Sequence, residues 1–322
     1  ARLKARLYLC DWVSLLVGLE PSLPLVLPRW GVYIGSMKIL IITGGKTAER
    51  EISIRSSASV MFWLSPYCDI KIVLWPDEKK ELQSMLRDFD CIIPMIHGRG
   101  GEDGEVQRIL DQAQVPYLFS SPDCHAQCLD KRRAKSAVTD FVRVPEEYSQ
   151  ANYILPLVAK DPLGGSSIDV QIIQSEAEVV THDFSEYLLE EYISGREFTV
   201  GVVETEQGVV ALPPIEIRAK GFFNFAQKYT SDQLAEEICP APISASLKET
   251  MKECAKKIHL RFGIRHISRS DFIVTKQGDI VFLEVNTIPG FTETSLIPLS
   301  AKVGGHTMDD LFLYWINSSV EQ

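Results

Sequence analysis

The chain has 322 residues, a hydrophobic content of 45%, a charged content of 24% and a formal net charge of −10. Its length exceeds that of one typical domain and its composition is that of an ordinary globular protein, so we expect two or three domains. The acidic balance argues against nucleic-acid binding, which requires a basic surface, although it is compatible with a local basic pocket for a nucleotide. The cysteines are odd in number and contain no CxxC pair, which is typical of reduced thiols and predicts a cytoplasmic protein.

Residues 1–36 differ from the rest of the chain, because a basic start is followed by an apolar run and three prolines. A secretory signal peptide has this order, but Asp11 interrupts the apolar run and no small-residue cleavage site follows. The run is shorter than the roughly 20 apolar residues that a membrane span requires, so no membrane association is expected. Met37 opens a regular strand, and we interpret 1–36 as a leader or linker outside the fold. As a linker, this segment would join the fold to a fused upstream domain.

From Met37 to about residue 123, apolar strands alternate with helical segments. The strands are KILIIT, DIKIVLW, CIIPMI and VPYLFSS, and the helical segments lie at about 51–64, 78–87 and 104–113. This alternation predicts an α/β domain with a parallel sheet, which we place at 37–130. Beyond it the pattern is richer in strands and hairpins, which predicts two further blocks, 131–197 and 198–322.

Two loops of the predicted parallel sheet have features of a ligand crevice. In TGGKT, at 43–47, Leu40 stands where a P-loop needs glycine, but a Gly-Gly turn between a strand and a helix is where α/β sheets open a crevice. Glu49 lies near the start of this helix, where complementing the helix dipole is the alternative to a binding role. In HGRGGEDGEVQRIL, at 97–110, His97 and four glycines indicate backbone that passes close to a ligand.

Two later segments suit a nucleotide. LVAKDPLGGSSIDV, at 157–170, ends an apolar strand on Lys160 and continues into a glycine–serine loop. Its backbone amides, hydroxyls and lysine charge could cover phosphate oxygens, and a plain surface hairpin is the alternative. In YLLEEYISGREFTV, the acids could bond a purine and ribose hydroxyls or be solvated strand edges; they are Glu190, Glu191 and Glu197.

The segment SRSDFIVTKQGDIVFLEVN predicts a hairpin with polar residues on one face. A two-residue turn at Gln277-Gly278 would set Asp271 opposite Glu284. The same register sets Arg269 opposite Asn286. Two facing carboxylates repel unless a cation lies between them, and such oxygen ligands suit Mg²⁺. The hairpin therefore predicts a metal site, with a solvated strand face as the alternative.

Eight segments, taken in chain order, resemble the D-alanine:D-alanine ligase family of ATP-grasp enzymes. They are GGKTAEREIS, HGRGGEDG, LDKRRAK, AKDPLGGSS, EEYISGREFTVGV, FFNFAQKYTSD, RSDF and EVNTIPGFTETSLIP, and they extend from Met37 nearly to the C-terminus. The resemblance implies an α/β (α+β ATP-grasp) fold, in which an N-terminal parallel-sheet α/β domain precedes two antiparallel-sheet ATP-grasp subdomains. It implies ATP-dependent ligation of two D-alanine molecules through an acyl phosphate, for peptidoglycan precursor synthesis, by a cytoplasmic homodimer.

The resemblance also implies cofactors, which are ATP and two Mg²⁺ ions, with Mn²⁺ as a substitute. The residues that match the family's nucleotide site are Lys131, Lys160, Ser167, Glu190, Glu191, Glu197, Phe222 and Lys228. Among them, Lys131 and Lys160 are implied to contact phosphates and Glu197 the ribose. The implied metal ligands are Asp271, Glu284 and Asn286.

The catalytic residues that the resemblance implies are Glu49, Ser166, Tyr229, Arg269 and Gly290. Glu49 is implied to meet the ammonium group of the first D-alanine, with Ser166 and Tyr229 linked to it across the closed site. Arg269 and the backbone amide of Gly290 are implied to stabilise the tetrahedral intermediate. The implied substrate contacts are His97 and, for the carboxylate of the second D-alanine, Ser295 and Leu296.

The chain departs from the family pattern at several positions. Asp161 replaces the usual proline after the strand lysine, and Asp169 replaces a glycine beyond the serine pair. In FFNFAQKYTSD, the unusual residues are Asn224, Ala226 and Gln227. These differences concern loop closure and turnover rather than fold or substrate class.

Two alternatives to a D-alanine:D-alanine ligase follow from the same features. One is another ATP-grasp carboxylate ligase, such as a D-alanine:D-lactate ligase, although Tyr229 favours an amine nucleophile. The other is a nucleotide-binding module without turnover that belongs to a fused cell-wall enzyme.

Overall fold

The computed structural model describes residues 37–77, 82, 84–165, 170–181, 183–218 and 235–321. The expectations for 1–36 and for part of the predicted helix at 78–87 lie outside the described residues. Five predicted site residues also lie outside them: Ser166, Ser167, Phe222, Lys228 and Tyr229. The same holds for the family departures at Asp169, Asn224, Ala226 and Gln227. Among the helices that the structure does describe, none has the length and hydropathy to cross a membrane.

The N-terminal part of the described chain is a parallel sheet with the strand order β2-β1-β3. Its strands are β1 (Lys38–Gly44), β2 (Asp69–Trp75) and β3 (Cys91–Met95), and its helices are α1 (Arg50–Leu64) and α2 (Glu105–Ala113). The central strand β1 is buried from its second residue onward, because helices and neighbouring elements cover both faces of a parallel sheet. The predicted parallel sheet with helices is confirmed.

The predicted strand VPYLFSS is reduced to one parallel bridge, between Tyr117 and Ile92. Phe119 has a φ of +71°, and its N–H donates to His266 Nδ1 at 2.9 Å instead of continuing a ladder. A residue in the left-handed region turns the chain out of the extended path, so this segment ends the sheet as a single contact.

The central part is a four-stranded antiparallel sheet with the order β4-β7-β5-β6. Its strands are β4 (Glu147–Tyr148), β5 (Leu157–Lys160), β6 (Gln171–Ile173) and β7 (Leu188–Glu191), with helix α5 (Glu176–Thr181) before β7. Two helices precede this sheet, α3 (Pro122–Leu129) and α4 (Lys131–Ser136). Ser121 caps α3 and Asp130 caps α4 by accepting backbone N–H bonds. The Asp130 cap fixes the start of α4 and therefore the place of Lys131.

The C-terminal part is a six-stranded sheet with the order β11-β10-β8-β12-β13 and with β9 paired to β8. Its strands are β8 (Gly195–Thr205), β9 (Gly208–Ala211), β10 (Ile215–Arg218), β11 (Glu236–Ile238), β12 (Ile267–Thr275) and β13 (Ile280–Asn286). Its helices are α6 (Ala245–Arg261), α7 (Leu296–Val303) and α8 (Met308–Val320). A Cβ at Gly195 would lie 2.3 Å from the carbonyl oxygen of Val274, so only glycine lets β8 begin this close to β12. β8 begins before the predicted boundary at 198.

The β12–β13 hairpin contains the facing pairs that the sequence predicts. Asp271 pairs with Glu284, and Arg269 pairs with Asn286. Paired residues of an antiparallel ladder point to the same face, so these four side chains share one face of the sheet.

The turn of this hairpin differs from the predicted one. It contains three residues rather than two, because the Thr275 N–H donates to the carbonyl oxygen of Asp279 and Gly278 adopts a φ of +93°. A register shift immediately after Asp271 then skips Leu283. The correct facing pairs therefore result from two deviations that cancel.

The described hydrophobic clusters are shared by some sheets and not by others. One cluster joins the parallel sheet to the C-terminal sheet and includes Ile41, Val203, Phe291 and Trp315. The four-stranded sheet has a separate small cluster around Leu157. Polar contacts at the border between these clusters therefore contribute to the position of the central sheet.

Candidate active site

A cavity of about 850 Å³ is lined by residues of both antiparallel sheets and by segments that follow strands of the parallel sheet. Its lining includes the turns after β1 and β3, parts of β5 and β7, and the polar face of the β8–β12–β13 strands. The sequence-predicted site residues that the structure describes all line this cavity: Glu49, His97, Lys131, Lys160, Glu190, Glu191, Glu197, Arg269, Asp271, Glu284, Asn286, Gly290, Ser295 and Leu296. The fold thus brings distant segments to one place, while the role of each residue stays a prediction.

The polar face of the hairpin forms one wall of the cavity. Asp271 accepts bonds from Nε and Nη2 of Arg269 at 3.1 and 3.0 Å. Thr199 Oγ1 donates to the same carboxylate at 2.6 Å, and the amide nitrogen of Asn286 lies 3.4 Å from it. The forked geometry of the guanidinium group and the carboxylate orients both side chains.

Lys131 reaches the second carboxylate of this wall from α4. Its buried ammonium group lies 3.2 Å from Glu284 and also donates to the carbonyl oxygen of Gly164. The backbone N–H of Lys131 donates to the carbonyl oxygen of Pro162 at 3.0 Å. Lys131 therefore connects the hairpin to the loop after β5, which is the predicted phosphate cover.

Lys160 belongs to a cluster of three buried charges. Its ammonium group lies 2.6 Å from one carboxylate oxygen of Glu190, and Lys135 of α4 donates to the other oxygen. Burial and the proximity of Lys160 lower the pKa of Lys135 to about 7. Burial alone would raise the pKa of Glu190, but the two lysines lower it, so Glu190 is an anion between two cations.

The other acids of the predicted nucleotide site lie on β7 and β8. Glu191 accepts a bond from Arg143 at 2.7 Å. Glu197 is paired with Ile217 on one side and Ile273 on the other, and all three side chains line the cavity. A carboxylate between two apolar side chains provides both a polar contact and an apolar surface, which is the usual make-up of a small-molecule site.

His97 joins the turn after β3 to the loop after β13. Its Nδ1 lies 2.9 Å from the carbonyl oxygen of Ile288, and its Nε2 lies 3.0 Å from Ser56 Oγ. The carbonyl oxygen of Ile288 can only accept, so Nδ1 carries the ring proton in the neutral form. Ser56 Oγ, which accepts the N–H of Phe291 at 3.2 Å, then donates its own proton to Nε2. Burial lowers the pKa of His97, which favours this neutral form. The predicted substrate contact of His97 has to compete with these bonds.

Glu49 and Glu102 approach the same turn of the HGRGGEDG motif. A Cβ at Gly98 would lie 2.6 Å from Glu49 Oε2, and Gly98 has a φ of +72°, so this position requires glycine. The N–H groups of Gly98 and Ile288 donate to the two oxygens of Glu102 at 2.8 and 3.3 Å. Burial and the charge of Glu49 raise the pKa of Glu102 to about 8. The sequence predicts that a ligand lies close to the backbone at Gly98. In the structure, the group that lies close to Gly98 is the carboxylate of Glu49.

Glu102 is expected to make the free energy of unfolding depend on pH. Because its folded-state pKa of about 8 is above the 4.5 of an ordinary glutamate, the folded protein keeps this proton longer, and stability falls as the pH rises between these values. Glu102→Gln cannot ionise and is expected to flatten this decline, whereas Glu249→Gln, at an exposed position of α6, serves as the control. Urea unfolding across this pH range measures the slopes, and equal slopes for Glu102→Gln and the wild type would contradict the assignment.

Ser295 lies at the start of α7, beside the cavity. Its Oγ accepts the N–H of Thr292 at 2.9 Å, and a Cβ at Gly290 would lie 2.9 Å from the same oxygen. Gly290 and Ser295 are therefore neighbours, and Leu296 is the first residue of the helix. The N-terminus of a helix carries partial positive charge, which favours a carboxylate at this end of the cavity.

Sequence reasoning missed two contacts at the edge of the cavity. Lys135 stands in the quoted segment LDKRRAK, but only Lys131 of that segment has a role by resemblance. Arg99, in HGRGGEDG, bonds both oxygens of Asp161 at 2.9 and 3.3 Å. Asp161 also accepts the N–H of Leu163 at 2.8 Å, so the aspartate in the place of the family's proline has defined partners. Lys135 and Arg99 both stand in segments that resemble the family, but these segments do not show which carboxylate each residue contacts.

Comparisons with known proteins show which family the chain belongs to. A family model described as "D-ala D-ala ligase C-terminus" matches residues 129–317. The chain is 36% identical to the D-alanine--D-alanine ligase of Thermotoga petrophila over 296 residues, which cover 85% of this chain and 95% of the relative. It is 34% identical to the D-alanine--D-alanine ligase of Fusobacterium nucleatum over 295 residues, which cover 88% of this chain and 100% of the relative.

Solved structures are similar over the same part of the chain. A D-alanine--D-alanine ligase from Bacillus anthracis complexed with ATP gives a TM-score of 0.74 at 27% identity and covers 88% of this chain and 98% of its own. A D-Ala:D-Ser ligase from Enterococcus faecalis gives a TM-score of 0.72 at 27% identity, with 88% and 99% covered. The predicted ATP-grasp fold is confirmed by these matches. The chain belongs to the D-alanine--D-alanine ligase family.

Proposed function

We propose that this protein ligates two D-alanine molecules to D-alanyl-D-alanine and converts ATP to ADP and phosphate, as a step in peptidoglycan precursor synthesis. The observation that carries the proposal is the cavity in which cationic and anionic side chains converge from the two antiparallel sheets and from α4. The relatives named for this activity match most of the chain, which supports the same reaction here.

In the first step, a carboxylate oxygen of one D-alanine attacks the γ-phosphorus of ATP. The bond from this phosphorus to the bridging oxygen breaks, ADP leaves, and an acyl phosphate forms. Lys131 and Lys160 offset the negative charge of the phosphate oxygens, and Glu49 binds the ammonium group of the same D-alanine. The protein contributes mainly by positioning the reactants, since no proton transfer is needed in this step.

In the second step, the neutral amine of the other D-alanine attacks the acyl carbon. The bond from this carbon to the phosphate oxygen then breaks, and the nitrogen gives its extra proton to the departing phosphate. Arg269, which its two bonds to Asp271 hold in place, and the N–H of Gly290 stabilise the oxyanion. The carboxylate of the second D-alanine binds at the start of α7, near Ser295 and Leu296.

The donor set on the hairpin fits hard divalent cations. Among the described residues, no group of three or more histidine, cysteine, aspartate or glutamate side chains could hold a metal ion. The proposed set has two carboxylates, Asp271 and Glu284, which are opposed by the protein cations Arg269 and Lys131, and the amide oxygen of Asn286 completes it. We propose that these residues hold two Mg²⁺ ions, or Mn²⁺, which when bound neutralise charge on the transferred phosphoryl group.

Further roles are proposed for residues outside the described part of the chain. Ser166 and Tyr229 complete the contacts to the first D-alanine, Ser167 and Lys228 contact phosphate, and Phe222 packs against the adenine. The support is the match of their segments, AKDPLGGSS and FFNFAQKYTSD, to the family pattern. Within the described part, Glu190 and Glu191 are proposed for the adenine, Glu197 for the ribose and His97 for the substrate.

The domain division and the assembly are also proposals. We divide the chain into 1–36, 37–130, 131–197 and 198–322, and the support is that each described sheet falls within one of the last three ranges except for the start of β8. A homodimer, a cytoplasmic location and a fused upstream cell-wall domain rest on the resemblance and the composition.

The proposed reaction predicts that D-alanine alone makes the protein release phosphate from ATP in the presence of Mg²⁺. L-alanine is expected to give only the background rate, because Glu49 and the oxyanion site fix the orientation of the first amino acid. Phosphate release and the products, identified by mass spectrometry, are the measurements. Absence of D-alanine-dependent phosphate release by a protein that binds ATP would favour the module without turnover.

Added acceptors test the second substrate. D-lactate and D-serine, each supplied with D-alanine, compete for the place of the second D-alanine. We expect D-alanyl-D-alanine to remain the main product. A main product that contains D-lactate or D-serine would overturn the acceptor assignment while leaving the ATP-dependent ligation in place.

A further inference from the structure

Three charged side chains form a buried cluster beside the cavity, and they are Lys135, Glu190 and Lys160. These side chains are 6%, 2% and 11% exposed, respectively. One oxygen of Glu190 accepts from Lys135, and the other lies 2.6 Å from Lys160. Lys160 and Glu190 belong to the lining of the cavity, and Lys135 does not.

Two lysines share one carboxylate, so the cluster has a formal charge of +1 when all three groups are ionised. Without Lys135, Glu190 and Lys160 would form a neutral pair, and much of the attraction of Lys160 for an anion in the cavity would be cancelled at close range. With Lys135, one positive charge is left in a buried environment, where interactions between charges are strongest. Such a charge is costly unless it is paired, so an anion that binds at Lys160 stabilises the cluster.

We propose that Lys135 is a positioning residue for ATP: it occupies one oxygen of Glu190 and leaves Lys160 with the positive charge that attracts the phosphate groups. Lys135 acts through Glu190 and needs no contact with ATP. The inference rests on the proposed ATP site and deepens it, because the resemblance assigns Lys135 no role and this residue does not line the cavity.

Other cations near Lys160 have carboxylate partners of their own. Lys131 lies 3.2 Å from Glu284, which also attracts Lys160 through space. Arg99 pairs with Asp161, the neighbour of Lys160 along the chain. Among these described groups, Lys135 is therefore the one that gives the Glu190 cluster its extra charge.

The test compares ATP with adenosine, which has no phosphate. Lys135→Met keeps the length of the side chain and removes its charge. We expect this variant to bind ATP about tenfold more weakly, which corresponds to about 1.4 kcal/mol. Adenosine is expected to bind with unchanged affinity, because Lys160 still holds the other oxygen of Glu190, the residue proposed for the adenine. Lys135→Arg keeps the charge and is expected to restore most of the ATP affinity. Calorimetric dissociation constants are the measurement, and Arg133→Met, the same change of net charge at an exposed position of α4, is the control.

The outcomes separate this inference from the proposed function. An equal loss of affinity for ATP and adenosine would assign Lys135 a structural role and overturn the inference, as would ATP binding by Lys135→Met that equals the wild type. A melting temperature within a few degrees of the wild type confirms that the variant is folded during these measurements. Failure of the wild type to bind ATP would instead overturn the ATP site on which the inference depends.

The pH dependence gives an independent readout. Lys135 carries its proton below its pKa of about 7 and loses it above. The dissociation constant of ATP for Lys135→Met is divided by that for the wild type. The titration of ATP itself affects both constants equally and drops out of this ratio. We expect this ratio to be largest below pH 7 and to approach one above it, because the wild type then also lacks the charge. A ratio that increases with pH would overturn the inference.

Discussion

Glu284→Gln is expected to lower the rate of D-alanyl-D-alanine formation by at least about a hundredfold, because it removes one of the two carboxylates of the proposed metal site and keeps the shape of the side chain. Glu284 faces Asp271 across the hairpin and lies 3.2 Å from Lys131, so the change alters charge at the point where the hairpin meets α4. The side chain is partly exposed, and we expect the fold to remain intact. Turnover measured over a range of Mg²⁺ concentrations tests the assignment, since a weakened site requires more Mg²⁺.

A matched control lies on the same hairpin. Asp279→Asn makes the same acid-to-amide change in the turn region, where the side chain is 56% exposed, and is expected to keep the wild-type rate. Near-normal turnover of Glu284→Gln at the Mg²⁺ concentration that half-saturates the wild type would contradict the assignment of Glu284 as a metal ligand. Equal losses in both variants would indicate damage to the hairpin instead.

The shared face of the hairpin could be predicted from the sequence because alternation is a local property. Glu284 and Asn286 are two positions apart, so they point to the same side whatever the turn. The register across the strands is less secure, since it depends on the turn and on bulges. A three-residue turn without the shift after Asp271 would have set Asp271 opposite Leu283. The predicted pair is correct because both deviations occur together.

Contacts between distant segments were beyond what sequence patterns can show. Lys135 of α4 meets Glu190 of β7 only in the folded chain, and no periodicity or turn signal encodes this approach. The bond between Arg99 and Asp161 has the same origin. The resemblance carried roles only to matched motif positions, so it placed Lys160 on the phosphates without showing that Glu190 shares its charge.

The hydrogen bonds and the protonation state of a predicted site residue likewise depend on its surroundings. His97 follows an apolar strand in a glycine-rich motif, and the sequence predicts a substrate contact for it. In the structure its two ring nitrogens are bonded to Ser56 and Ile288, which lie far from it along the chain. Burial lowers the pKa of His97 and favours the neutral form, a property that residue type and spacing do not determine.

Arg269→Lys is expected to lower kcat for dipeptide formation by about a hundredfold to a thousandfold, the usual effect of removing one donor to an oxyanion, and to change the KM for ATP much less. The guanidinium group holds both oxygens of Asp271 through Nε and Nη2, and the side chain lines the cavity. A lysine has the same charge but a single nitrogen, so it cannot hold the carboxylate in this forked geometry and present a separate fixed donor.

The position of the loss along the reaction identifies the step at which Arg269 acts. Stabilisation of the tetrahedral intermediate belongs to the second step, so Arg269→Lys is expected to form less dipeptide for each ADP released, as water intercepts the acyl phosphate. Arg196→Lys is the matched control, because Arg196 also bonds a carboxylate of the same sheet, Glu216 at 2.7 Å, without lining the cavity. A lower rate with an unchanged ratio of dipeptide to ADP would move the role of Arg269 to the first step. Its bond to Asp271 would then act by orienting the metal ligand, and the N–H of Gly290 and the start of α7 would be left to stabilise the oxyanion.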